Sequence, residues 1–279
     1  MRILLKIALG ITFIFSSLSF INTANALDIV FAEDRPDLRT LDPRITQSRH
    51  EEMLIVNMFD QLISADSEGN IYPGLATSWD VSSDGLEYTF SLRDDVSFHD
   101  GTKFNAAAVK ATFDSIVDPE TGSQGAVDIL GPYKETIVID DFTAKVVFER
   151  RYGSAITAFT ETELSIVSPT ALDKLGNEGF GMAPVGTGPF MFKNWEANKK
   201  VELVRNPDYN WAPEYMDGSG PSQVENLTYR LIKDTSTRVA ALEAGEIDIA
   251  ELVPPLDMRR FDSSGDLSTV TGTVSGLPY

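Results

Sequence analysis

No cysteine occurs anywhere in the 279 residues. That absence excludes disulfides, thiolate metal sites, a cysteine nucleophile and a lipid-modified cysteine at the head of a mature chain. Histidine is almost as scarce. The only two, His50 and His99, stand far apart, and neither has a second ligand at metal spacing. His99, between Phe98 and Asp100, reads as a turn residue making a local side-chain hydrogen bond. No metal and no cofactor is expected. Positive charge is also short, with 23 Lys and Arg against 42 Asp and Glu and a net charge of −19. Such a surface repels phosphate backbones and no basic patch offsets it, so nucleic acid is not expected as a partner.

Catalytic motifs are missing too. Gly186-Thr187-Gly188 is followed by Pro189, where a phosphate-binding loop needs its Lys-Ser/Thr. Residues 80–85 begin like a calcium loop, but Ser91 stands where a bidentate Glu belongs, and the segment reads as a turn. No Gly-x-Ser-x-Gly elbow occurs. An enzyme is therefore the weaker reading.

Long apolar runs are absent except at the start. Arg2 and Lys6 precede an apolar stretch over residues 7–20, and Ala24-Asn25-Ala26 fits the small-x-small rule for signal-peptidase cleavage. Export with cleavage between Ala26 and Leu27 is expected. The mature protein would then be a free periplasmic protein, not a lipoprotein.

The mature chain alternates strand and helix signals. Residues 27–32 form an apolar strand candidate, and Leu54, Ile55, Met58, Phe59 and Leu62 predict one helix over residues 51–62. Tyr88, Phe90 and Leu92 alternate with polar residues, the period of a strand with one apolar face. Asn105 then caps a helix carrying Val109, Phe113 and Ile116. Residues 136–139 and 144–148 flank Asp140-Asp141 as a hairpin, and residues 190–195 and 200–205 form another. Ser168-Pro169 opens a short helix ended by Gly176, with a Gly-rich loop over 177–183. Leu227 to Leu231, a helix capped by Asp234 or Thr235 and ended by Gly245, and then Ile247 and Ile249 make a βαβ unit. Its strands should be parallel neighbours. Residues 267–270 read as a short strand.

One ordered set of motifs carries a family resemblance. Asp84-Gly85, Tyr88-Thr89-Phe90-Ser91-Leu92-Arg93, Phe98-His99-Asp100-Gly101-Thr102 and Phe104-Asn105-Ala106-Ala107-Ala108-Val109 come first. Pro184-Val185-Gly186-Thr187-Gly188-Pro189-Phe190, Arg205-Asn206-Pro207-Asp208-Tyr209 and residues 240–249 follow, with Leu41-Asp42-Pro43 upstream. This set resembles the family 5 solute-binding proteins of ABC importers for dipeptides, oligopeptides, glutathione and nickel complexes. Residues 104–110 with 184–189 look most like the glutathione-binding branch.

The resemblance implies an α/β fold, lobe I of a type II (cluster C) periplasmic binding protein with an inserted accessory domain. It assigns residues 1–26 to a signal peptide, 27–71 and 182–270 to lobe I, 72–181 to the insertion, and 271–279 to the start of a crossover. Family members run much longer, so an N-terminal fragment lacking the second lobe is expected. The implied partners are a peptide or similar small solute and ABC permease subunits, with the binding protein itself a monomer. The alternative is a ligand-presenting receptor domain for chemosensing. Ligand contacts are expected from Thr46, Gln47 and Ser48 after the first strand, Val253 and Pro254 after the βαβ unit, and Leu277 and Tyr279 at the crossover, since loops at strand ends carry function disproportionately.

Overall fold

The computed structural model describes residues 27–34, 37–216, 218, 220–265 and 267–270. Strand β1 (Leu27–Glu33) leads through a loop to helix α1 (Arg49–Ile55), and β2 (Ile63–Ala65) and β3 (Ile71–Pro73) make a short hairpin. Then come β4 (Ala76–Val81), β5 (Glu87–Leu92), α2 (Ala106–Val117), α3 (Gly125–Leu130), β6 (Tyr133–Asp140) and β7 (Thr143–Phe148). After α4 (Ala155–Ala158) and α5 (Pro169–Met182), β8 (Phe190–Glu196) and β9 (Lys200–Arg205) form a hairpin. The described chain finishes with β10 (Val224–Leu231), α6 (Thr235–Glu243), β11 (Ile249–Ala250) and α7 (Pro255–Ser264).

Two larger sheets result. The first is mixed, in the order β11-β1-β10-β9-β8, with β1 parallel to both β10 and β11. The second is antiparallel, in the order β4-β5-β7-β6. The predicted alternation of β5 holds: Tyr88, Phe90 and Leu92 are buried, and so are Ala144, Val146 and Phe148 of β7 beside it. Phe159 sits among these side chains, its ring 5.0 Å from Phe90 and 5.9 Å from Phe113 of α2. Such aromatic contacts add roughly 0.5–1.5 kcal/mol each beyond the area they bury.

Asp60 joins this core to the one beneath the mixed sheet. Its buried carboxylate accepts hydrogen bonds from Thr187 Oγ1 (2.7 Å), Trp211 Nε1 (3.0 Å) and Tyr209 Oη (3.2 Å). Around it the backbone is close-packed. Gly188 N donates to Met58 O and Phe190 N to Asn57 O, each at 2.9 Å. The Gly188 carbonyl accepts from His99 Nε2 (2.9 Å) and Asn206 Nδ2 (3.1 Å). His99 therefore bridges to a distant loop instead of making the local bond expected of it. Burial pushes its pKa down from 6.5 to about 4.

Several expectations need correction. Helix α1 stops at Ile55, because the carbonyls of Asn57 and Met58 are taken by the 188–190 segment and Asn57 Nδ2 donates to Met53 O. The apolar stripe of residues 54–62 is buried all the same. Gly176 does break α5 (φ 66°, ψ 175°), but the following residues are helical, not a loop. They carry Phe180 into the core, 6.3 Å from Phe59 and under the Arg44 guanidinium. Residues 80 and 81 belong to β4, and the turn starts at Ser82. Strands β10 and β11 are parallel but not neighbours, since β1 lies between them. The crossover rule sets direction and hand, and the adjacent slot is filled by a strand remote in sequence. Residues 267–270 form no strand, and α7 precedes them.

A Cβ on Gly188 would lie 2.5 Å from the Met58 carbonyl carbon and 2.6 Å from Phe59 N, both backbone. Gly188→Ala should therefore cost about 3 kcal/mol or more. Gly153→Ala, with nothing within 4 Å, should stay within about 0.5 kcal/mol. Urea denaturation measures both. The His99 shift sets a pH dependence. Its folded pKa lies below the unfolded value, so the unfolded chain binds more protons between pH 6.5 and about 4. Stability present above that window is lost as pH falls through it, on the order of 2 kcal/mol after discounting for partial exposure. In His99→Gln the fall over the same range should be smaller by that amount.

Candidate functional site

In open α/β sheets, ligands lie beyond the carboxyl ends of parallel strands. Here those ends belong to β1, β10 and β11, and the segments leaving them converge. Arg238 ties the exits together from beneath, its buried guanidinium donating to the carbonyls of Ile232 (2.7 Å), Lys233 (3.1 Å) and Glu251 (3.3 Å).

The loop leaving β1 is held from two sides. Buried Glu51, in the first turn of α1, accepts from the backbone N–H of Arg39 (2.7 Å) and Thr40 (3.3 Å) and from Thr46 Oγ1 (2.7 Å). Asp42 pairs with Arg44 through Nε (3.0 Å) and Nη2 (2.6 Å), both side chains fully buried. Arg44 reaches on to Ser115 Oγ and Asn177 Oδ1, each at 3.1 Å. Removing one partner of such a pair typically costs about 3–5 kcal/mol because the other charge stays buried. The Leu41-Asp42-Pro43 motif is thus a loop anchor.

Outside this loop is an open hollow of about 620 Å³, lined among others by Arg39, Gln47, Ser48, His50 and Gln124. Gln47 and Ser48 therefore face a space that a solute could enter, and Gln47 Nε2 donates to Gln124 Oε1 at 2.9 Å. Thr46 is turned inward, its hydroxyl given to Glu51. Val253 and Pro254 lie between β11 and α7, half-buried and outside that hollow. Just before them, Leu252 is 60% exposed and holds a left-handed backbone (φ 51°). For a γ-branched residue that conformation costs roughly 1–2 kcal/mol. Leu277 and Tyr279 lie outside the described residues.

Sequence reading passed over Glu33 and Glu251. Glu33 closes β1 with its side chain fully buried. Its pKa is pushed up to about 8, first by burial and then by the nearby charges of Glu251 and Asp34. His50 Nδ1 lies 3.8 Å from Glu33 Oε2. A charged residue ending an apolar strand was the available signal.

Residues 70–279 match the family model of the bacterial extracellular solute-binding proteins, family 5 (middle region). The chain belongs to this family. Among curated proteins, the glutathione-binding protein GsiB of Shigella flexneri is 32% identical over 249 residues, which is 89% of this chain and 46% of GsiB. Among solved structures, DppA of Helicobacter pylori, a periplasmic binding protein in complex with the peptide STSA, superposes with a TM-score of 0.73 at 26% identity. The match covers 84% of this chain and 48% of DppA. NikZ of Campylobacter jejuni, in complex with Ni(L-His), gives 0.72 and 26%, over 84% and 45%. The chain spans about half the length of these relatives. No helix among the described residues is long and apolar enough to cross a membrane.

Replacing Glu51 by Ala strands two backbone N–H groups and the Thr46 hydroxyl. Glu51→Ala should cost about 2 kcal/mol and speed amide hydrogen exchange at Arg39 and Thr40, leaving exchange in β5 unchanged.

Proposed function

We infer that the chain supplies one wall of the solute site in the substrate-binding component of an ABC importer, capturing peptides or similar small solutes for a membrane permease. The observation that carries this reading is the polar hollow at the carboxyl end of β1, walled by Gln47 and Ser48, in a chain of the family 5 type. Glutathione heads the candidate solutes, because GsiB is named for binding it and shares 32% identity. The N-terminal pattern over residues 1–26 supports delivery to the periplasm by a cleaved signal peptide. The core of the antiparallel sheet, drawn mainly from residues 75–166, supports reading most of residues 72–181 as an inserted domain, while Val167, Ala171 and Phe180 pack in the core of the mixed sheet. In this reading, residues beyond the span matched here supply the facing wall, and closure around the solute is the state a permease reads.

One wall alone holds a ligand weakly. Reduced glutathione and a panel of di- to tetrapeptides, titrated into the mature chain, should bind with Kd of about 1 mM, or about 4 kcal/mol. NMR shift changes should be confined to the residues around the hollow, among them Arg39, Gln47, Ser48, His50 and Gln124. Shifts elsewhere, or none with any solute, would sink the assignment of the wall. Hydrolysis of any peptide would sink the binding-only reading.

A further inference from the structure

Three side chains that stand far apart in sequence meet where the parallel strands end. Glu33 closes β1, Glu251 follows β11, and His50 lies in the first turn of α1. Each offers one donor atom, and the three atoms lie within 4.8 Å of one another. The Glu33 side chain is 0% exposed, yet neither of its oxygens has a hydrogen-bond partner among the described residues. His50 Nδ1 and Glu251 Oε2 are in the same condition.

Buried polar atoms are nearly always partnered, and an orphan costs about 1–3 kcal/mol, more when charged. Unpartnered atoms on three side chains that meet within 4.8 Å are therefore hard to account for by packing alone. The buried cation tied to Glu251 does not answer them, because the Arg238 guanidinium is directed at the backbone carbonyls of Ile232, Lys233 and Glu251. Nor does the carboxylate of Glu51, one residue past His50, help. It is an acceptor, and it is already satisfied by Arg39, Thr40 and Thr46.

We propose that Glu33, His50 and Glu251 form a binding site for a divalent transition cation of the Zn²⁺ type. Two carboxylate oxygens and one imidazole nitrogen are a donor set that zinc accepts, with bonds of about 2.0–2.2 Å and room for a fourth ligand. Ligand atoms at those bond lengths sit about 3.3–3.6 Å apart in a tetrahedron. The 3.8 Å between His50 Nδ1 and Glu33 Oε2 is already close to that. The imidazole sets the class of metal, because Ca²⁺ and Mg²⁺ take oxygen ligands. His50 also lines the open hollow, which gives the ion a path in from solvent. Once bound, the ion ties the exits of β1 and β11 to the start of α1, stiffening the edge that presents Gln47 and Ser48.

The site is tested on the whole mature chain, stripped with EDTA and titrated with ZnCl₂ by calorimetry, with thermal unfolding in parallel. One Zn²⁺ per chain is expected with Kd of about 1 µM or tighter, and Tm should rise with added zinc. Glu33→Gln and His50→Gln should each weaken binding at least about tenfold. Both variants should stay folded by circular dichroism, because His50 is partly exposed and Glu33→Gln removes a buried carboxylate without changing volume. Millimolar Ca²⁺ should not compete. No saturable binding, unchanged affinity in both variants, or equal competition by Ca²⁺ would each overturn the site. Peptide binding enters none of these readouts, so the outcome is independent of the solute-binding reading.

Discussion

Taking the Asp60 carboxylate out of water is the constraint on which the arrangement of the two cores depends. A buried carboxylate is tolerable only when donors replace its hydration. Burial raises its pKa, while hydrogen bonds from Trp211, Thr187 and Tyr209 act in the opposite direction. Those donors come from two loops, one before β8 and one after β9. The residues just ahead of Asp60 pack under the mixed sheet, and those just after it pack under the antiparallel sheet. Both loops must be in place for Asp60 to be buried, and with Asp60 buried the two cores are joined.

The motifs that carry the family resemblance serve this junction more than they serve a ligand. His99 reads the Gly188 carbonyl, Asn206 shares it, and Thr187 answers Asp60. Ser168, the cap of α5, donates to Asp100 of the same His-Asp-Gly turn. Gly186 and Gly188 lie so close to the backbone of residues 57–59 that a side chain has no room. These residues let the loops interlock.

The strand-exit edge is built differently. Its loop is pinned inside by Glu51 and by the Asp42–Arg44 pair, while Gln47 and Ser48 remain free to face the hollow. A rigid loop base fixes where these outer polar residues stand, so little ordering entropy would be lost if a ligand met them. Among the described residues, the Glu33 and Glu251 carboxylates and the His50 imidazole behind it have incomplete hydrogen bonding.

Local pattern in the amino-acid sequence determined most elements here. The alternation of Tyr88, Phe90 and Leu92, the hairpin around Asp140-Asp141 and the caps Asn105, Ser168 and Asp234 all express interactions within a few residues. The ordered motifs likewise placed the chain in its family. Tertiary structure decided what depends on remote partners. The helix signal over residues 51–62 was overridden because distant Gly188 and Phe190 claim the carbonyls that would have continued it. Strand β1 separates β10 from β11, which no rule of neighbouring segments could reveal. Gln47 and Ser48 were legible as strand-exit residues, but the inward turn of Thr46 follows from its bond to Glu51. Glu33, His50 and Glu251 were illegible as a set, since only the parallel pairing of β1 with β11 brings opposite ends of the described chain together.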